Sequence, residues 1–403
     1  LEGNEIDLRI ANGVVSELGQ ADALAKNQSV VIDGSGLQLL PGLVELHTHL
    51  REPDREDAET VRSGSAAAAM GGFTAVHAMA NTDPVADTAG VVEQVVRLGR
   101  EAGYCDVFAV GAVTQGLDGR ELAELGAMAH SMANVRVFSD DGKCVFDSLV
   151  MRRALEYVKQ FDGVIAQHAQ DPRLTENAQM NEGVVSSKLG LAGWPAVAEE
   201  AIIARDVLLA EHVGARLHIC HVSTAGSVEI IRWAKARGIN VTAEVTPHDL
   251  LLTDELVESY DPIFKVNPPL RTKEDVTALR AALVDGTIDI VATDHAPHPK
   301  ESKECEWNEA ANGMLGLETA LSVIQESIIE TKLTNWETVA ARMSYKPADI
   351  GRITEHGSKL KVGARANLIL VDTAIRRNVG EIKSVSKSSN NPYASLTLPG
   401  RVM

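Results

Sequence analysis

The sequence predicts an α/β protein, a (β/α)₈ TIM barrel with a small β-sandwich domain formed from the N- and C-terminal segments. Three observations predict it. Short apolar or β-branched runs alternate with Ala- and Leu-rich helical stretches through the middle of the chain. Histidines and acids recur at the C-terminal ends of those runs, the face on which barrel active sites form. Strand-like pieces broken by glycine turns flank the alternation on both sides.

The expected strands cover 42–49, 74–80, 106–113, 135–139, 164–168, 216–221, 240–245 and 288–293. Helical patterns over 57–70, 148–160, 196–212, 227–237 and 273–283 fall between them. Such alternation predicts a parallel barrel, with a doubly wound open sheet as the runner-up. The barrel is expected over 41–350. Residues 1–40 carry strand-like runs at 5–10 and 29–32, broken by Asn12-Gly13 and Gly34-Ser35-Gly36. Residues 351–403 carry runs at 361–372 and 394–402, and the two ends are expected to meet as one β-sandwich beside the barrel. The Ser- and Asn-rich stretch 376–391 reads as a surface loop. The chain starts at Leu1 and stops at Met403 inside a strand-like run, so further residues are expected at both ends.

Hydrophobic residues make up 45% and charged residues 23% of the 403 positions, an ordinary soluble composition. The formal charge of −18 argues against nucleic acid and anionic membrane as partners, because nothing would neutralise their phosphates. No apolar run approaches the roughly 20 residues of a membrane span, and no signal peptide is visible. Cys105, Cys144, Cys220 and Cys305 are scattered, which suits free thiols in a reducing cytoplasm. No GxGxxG after a strand, P-loop or GxSxG elbow is present, which removes nucleotide-dependent and serine-hydrolase readings.

The strongest local signal is PGLVELHTHLREP, residues 41–53. His47 and His49 are two apart at a strand end, so both imidazoles project to one face. That suits chelation of a borderline divalent cation such as zinc. An isolated HxH is common by chance; further groups strengthen it. VIAQHAQ puts His168 at the end of the fifth strand, and RLHICHVS puts His218 and His221 at the end of the sixth. His221 lies nearer the mouth, leaving His218 as a packed or supporting residue. VRVFSDDG ends the fourth strand with Asp140 and Asp141, and IDIVATDHAPH ends the eighth with Asp294.

With these residues in place, the chain resembles the amidohydrolase superfamily. HTHLREP, GGFTAV, MANTDPV, FSDDG, VTAEVTPHDLLL, FKVNPPLR and ATDHAPH resemble the bacterial type I dihydroorotases more closely, over nearly the whole chain. The resemblance implies one or two Zn²⁺ ions held by His47, His49, Asp141, His168, His221 and Asp294, with Asp141 bridging. It implies reversible hydrolysis of (S)-dihydroorotate to N-carbamoyl-L-aspartate in pyrimidine (UMP) biosynthesis. A water held between two cations would be acidified toward neutrality, and Asp294 would act as general base and then acid. Arg51 is the natural fork for the substrate carboxylate. The resemblance adds Asn81 and His298 beside that carboxylate, Asn267 at a ring amide edge, and backbone contacts at Asn312 and Gly313. Relatives often carry an aromatic residue where Asn312 stands. The polar stretch 299–312 is expected to be a lid. A homodimer and association with aspartate transcarbamoylase are also implied.

Other cyclic amidases, hydantoinases and allantoinases, often place a carbamylated lysine at the end of the fourth strand. No lysine stands there; Lys143, two beyond Asp141, is expected to be a solvated loop residue. A non-catalytic scaffold of aspartate transcarbamoylase is the second alternative, and the retained ligand set argues against it. His77 is expected to be packed, His295 to turn away from the metals, and His130, His212 and His356 to face solvent. His248-Asp249, where relatives often have two histidines, is assigned no chemistry.

Overall fold

The computed structural model describes residues 5–24 and 30–403. Eight parallel strands carry the middle of the chain: β1 (Leu43–Thr48), β2 (Phe73–Ala78), β3 (Asp106–Ala109), β4 (Val137–Phe138), β5 (Val164–Gln167), β6 (Arg216–Ile219), β7 (Val241–Val245) and β8 (Ile290–Val291). β1, β2 and β3 form one parallel sheet; β4 to β8 form another in sequential order. Parallel bridges Gly111↔Phe138 and Thr48↔His295 join the two sheets at both sides. This is an α/β architecture of the TIM-barrel type.

Local chemistry explains the elements. All six residues of β1 are buried, as expected of a parallel strand covered on both faces. Helices follow the strands, for example Val61–Met70, Ser148–Val158, Val197–Val213, Ala225–Ala236 and Lys273–Asp285. The first starts later than the expected 57 because Thr60 caps it, accepting from Ser63 N while Ser63 Oγ returns a bond to the Thr60 backbone. β4 and β8 are shorter than expected. Beyond Phe138 and Val291 the chain leaves the ladder, carrying Asp140, Asp141 and Asp294 out of it.

The chain ends meet. Gln38–Pro41 pairs antiparallel with Leu368–Asn378, which pairs antiparallel with Thr397–Val402. Ile6–Ala11 and Val14–Gln20 form a hairpin about Asn12 and Gly13, both with positive φ. Val15 N donates to Ala364 O at 2.9 Å, tying this hairpin to the C-terminal segment. The run expected at 29–32 forms no strand over Val30–Ile32, and Ser29 lies outside the described residues.

The stretch 376–391 is largely the irregular, exposed segment expected, but parts of it depart from a surface loop. Arg376–Asn378 completes a strand opposite Thr397–Pro399. Ser388 and Asn390 are buried, and Ser388 Oγ donates to Ala58 O at 2.7 Å. These polar side chains are internal because they satisfy buried backbone groups. His356 likewise is buried, with its ring between Asp106 Oδ2 at 2.8 Å and Thr74 Oγ1 at 3.0 Å. His130 and His212 are exposed, as expected.

Candidate metal centre and substrate pocket

The strand ends bring His47, His49, Asp141, His168, His221 and Asp294 together, all buried. They form two donor groups that share Asp141: His47, His49, Asp141 and Asp294, and Asp141, His168 and His221. In the first, Asp141 Oδ1 lies 3.3 Å from His47 Nε2 and Asp141 Oδ2 lies 3.3 Å from His49 Nε2. Asp294 Oδ1 lies 3.5 Å from His47 Nε2 and 3.1 Å from His49 Nε2. In the second, Asp141 Oδ1 is 3.2 Å from His168 Nδ1 and 3.2 Å from His221 Nε2.

These separations fit cation sites. Two donors on one tetrahedral zinc, each about 2.0–2.2 Å from it, stand about 3.4 Å apart. His47 Nε2 is buried and has no hydrogen-bond partner, the signature of a lone pair awaiting a cation. The electrostatics agree. Burial would lower the pKa of His47, yet Asp141, Glu244 and Asp294 outweigh it and raise it well above the ordinary range. Burial would raise Asp141, but His47, His168 and His221 hold it well below the usual carboxylate range. The pocket draws in positive charge.

Buried carboxylates orient the cage. Glu244 in β7 accepts from His47 Nδ1 at 2.6 Å, His218 Nε2 at 3.0 Å and His221 N at 3.2 Å. Because His47 Nδ1 carries the proton, its Nε2 is left as the ligand atom. His218 is thus the supporting residue expected. Glu45 in β1 accepts from His47 N at 2.8 Å and from Thr293 N, beside Asp294. Asp140 turns to Val113 N at 2.8 Å and Thr114 N at 3.0 Å, away from the cage that Asp141 enters. Lys143 is exposed, and His77 is buried against Phe108. His295 points its Nε2 toward Glu59 Oε2 at 3.5 Å.

The residues expected around substrate fall into two groups. Arg51 and His298 meet. Arg51 Nε donates to Pro297 O at 3.1 Å, and its terminal nitrogen lies 3.4 Å from His298 Nε2. That His298 nitrogen carries a proton, since it donates to Asn312 O at 2.8 Å. With that proton spent, the Arg51 guanidinium is the open donor here, and its planar fork suits a carboxylate. Burial, with Arg51 adding to it, pushes His298 down to about 3, so the ring is neutral; burial lowers Arg51 only to about 10, so it stays charged. Gly313 has φ of 144°, and a Cβ there would stand 2.8 Å from His298 Nε2. Its N–H and C=O are spent on Lys265 O and on Lys303 and Asn390, so Gly313 seats His298.

Asn81 and Asn267 attach to the metal ligands. Asn81 Oδ1 accepts from His49 Nδ1 at 2.8 Å, which leaves Nδ2 as its free donor. Asn267 Nδ2 donates to Gln170 Oε1 at 3.2 Å, and the same oxygen accepts from His168 Nε2 at 2.8 Å. Asn267 Oδ1 is buried without a partner and is available to an incoming N–H. Gln170, Glu244 and Glu45 escaped sequence reasoning, although Gln170 stands only two past His168. A cavity of about 270 Å³ is lined by Gly142, Lys143, Cys144 and Gln170, on the segments that follow Asp141 and His168 in sequence.

Fold and cage together define a hydrolase of the amidohydrolase superfamily. A family described as dihydro-orotase-like matches residues 36–227. The dihydroorotase of Streptomyces coelicolor is 67% identical over 402 residues, covering 100% of this chain and 94% of the relative. That of Mycobacterium tuberculosis is 52% identical over 401 residues, covering 100% and 93%. The L-hydantoinase (dihydropyrimidinase) of Arthrobacter aurescens superposes with a TM-score of 0.86 at 24% identity, covering 99% of this chain and 90% of that one. The dihydropyrimidinase of Brevibacillus agri gives 0.81 at 22% identity, covering 98% and 89%. The chain belongs to the dihydroorotase family of cyclic-amide hydrolases. No helix among the described residues is long and apolar enough to cross a membrane.

Proposed function

We propose that this enzyme interconverts (S)-dihydroorotate and N-carbamoyl-L-aspartate in pyrimidine biosynthesis, with Asp294 as general base and acid. The observation that carries this reading is the pair of donor groups sharing Asp141, with the charged Arg51 nearby, packed against His298. His47, His49, Asp141, His168, His221 and Asp294 would hold one or two Zn²⁺ ions. Bound there, a divalent ion acidifies water and polarises the ring carbonyl.

The chain's own groups do the rest. Arg51 and the free Nδ2 of Asn81 receive the substrate carboxylate, with the His298 ring packed beside Arg51. The orphaned Asn267 Oδ1 accepts a ring N–H. Asp294 takes a proton from the attacking water and delivers it to the ring nitrogen as the carbon–nitrogen bond breaks. In the reverse direction the carbamoyl nitrogen attacks the carboxyl carbon, Asp294 takes its proton, and water leaves.

Several coarser features extend the same way. The two bridges joining the parallel sheets support a closed (β/α)₈ barrel over 41–350, with 1–40 and 351–403 as one β-sandwich unit. Four unpaired cysteines support a cytoplasmic setting. A homodimer and association with aspartate transcarbamoylase remain part of the proposal. The test is turnover of zinc-loaded enzyme on dihydroorotate, hydantoin and allantoin, with metal content measured in parallel. Preference for dihydroorotate is expected; faster hydrolysis of either other ring overturns the reading.

A further inference from the structure

We propose that Lys303 is a positioning residue of the substrate pocket, an internal latch that closes the 299–313 segment and thereby seats His298. The proposal rests on the substrate reading above. Lys303 is only 6% exposed. Its ammonium group donates to Lys265 O at 3.1 Å, Ala311 O at 2.9 Å and Gly313 O at 3.1 Å. An ammonium has three donors, and all three are spent on backbone carbonyls. Lys265, also buried, sends its own ammonium to Trp307 O at 2.6 Å and Asn308 O at 3.2 Å. Two buried cations thus cross-tie the segment to the chain just before Asn267.

The geometry links this tie to the substrate. Gly313 N donates to Lys265 O at 3.0 Å. Asn390 Nδ2 bonds Gly313 O at 3.1 Å and Ala296 O at 2.9 Å, while its Oδ1 accepts from His298 N at 3.1 Å. Asn312 O holds His298 Nε2–H. Lys303 therefore pins the stretch 311–313 on which His298 leans, and His298 lies against Arg51. Releasing 311–313 frees the ring that stands beside the carboxylate fork.

A structural role alone does not explain the choice of residue. Burying a cation without an anion is costly, and an apolar side chain of similar length is commonly as stable or more so. Burial, with Lys265 nearby, pushes Lys303 down to about 7. Methionine at 303 would keep the packed stem. It would leave Ala311 O without its donor, while Gly313 O keeps Asn390 and Lys265 O keeps Gly313 N.

The experiment compares wild-type enzyme, Lys303→Met and, as a control in the same segment, Lys300→Met, whose side chain is exposed. It reads steady-state kinetics on dihydroorotate, limited proteolysis and thermal unfolding. For Lys303→Met the KM should rise about tenfold with kcat within about threefold. Cleavage within 299–312 should be about tenfold faster, with no fall in Tm. Lys300→Met should match wild type in all three. Wild-type KM in Lys303→Met, with or without faster cleavage, overturns the latch. A lowered Tm with cleavage spread over the whole chain also overturns it, by making Lys303 merely structural. Were wild-type enzyme inactive on dihydroorotate, the substrate reading would fail separately, and unchanged proteolysis would still sink the latch.

Discussion

Replacing Glu244 by Gln should weaken metal binding while leaving the enzyme folded. Glu244 Oε1 takes His47 Nδ1–H and the His221 amide; Oε2 takes His218 Nε2–H. Burial alone would raise Glu244, but His47 and His218 hold its pKa below the ordinary carboxylate range, so the native group is an anion. Glutamine can keep its oxygen on His47 and His221 and turn its amide to His218. His218 then shifts its proton to Nδ1, where Thr242 Oγ1 at 2.8 Å can accept it. No donor need be stranded, so the loss is the charge behind His47. Charge-assisted hydrogen bonds are about twice as strong as neutral ones, a difference of about 1–2 kcal/mol here. That is roughly 5- to 30-fold in zinc affinity, within the range seen when groups behind metal ligands are altered. Competition with a chelator on metal-free enzyme measures it. Glu244→Leu strands three buried donors at about 1–3 kcal/mol each and should lose both metal and stability. A Gln variant with affinity within twofold of wild type would refute the orienting role.

Three further outcomes are expected. Asp294→Ala should cut kcat by at least about 10²-fold while metal stays bound, and a near-normal rate would remove Asp294 from proton transfer. Arg51→Met should raise KM about 10- to 100-fold, the worth of a charged hydrogen bond to a carboxylate, with metal content unchanged; an unaltered KM contradicts the assignment. Lys303→Met should raise Tm more at pH 6.5 than at pH 9.5. The Lys303 pKa falls from 10.5 to about 7 on folding, so the native state binds fewer protons between those values. Its unfavourable charge acts fully below about pH 7 and fades as pH rises toward the unfolded value. Equal gains at both pH values would contradict the buried charge.

The sequence exposed the cage because the rules that place it are local. Alternation puts His47 and His49 on one face, and strand ends mark His168, His221 and Asp294. The groups that orient the cage obey no local rule. Glu244 meets His47 across 197 positions, and Thr293 meets Glu45 across 248. A lone glutamate in a strand, or a lysine in an acidic loop, reads as solvated until the fold supplies its partner. Lys303 stands among Glu301, Glu304 and Glu306, yet bonds to none of them. The same blindness hid the buried residues within 376–391, Ser388 and Asn390. These two side chains are polar because they finish buried backbone hydrogen bonds, which composition alone does not distinguish from hydration.

Three site residues, Arg51, His221 and Asp294, have positive φ without being glycine. Such backbone costs about 1–3 kcal/mol per residue and persists only where surroundings enforce it. Here the enforcement is visible. His221 N is held by Glu244, Thr293 N by Glu45, and His49 N by His295 O at 2.8 Å. The last two of these bonds lie at the junction of β1 with the end of β8, beside Thr48↔His295. Cage and sheet junction are therefore one network, and a cation that relaxes the repulsion between Asp141 and Asp294 also steadies the strand ends. Stripping metal should consequently speed amide exchange at His49, His221 and Thr293 before it speeds exchange in distant Leu368–Asn378. Uniform acceleration across both regions would show that the cage and the strand junction are energetically separate.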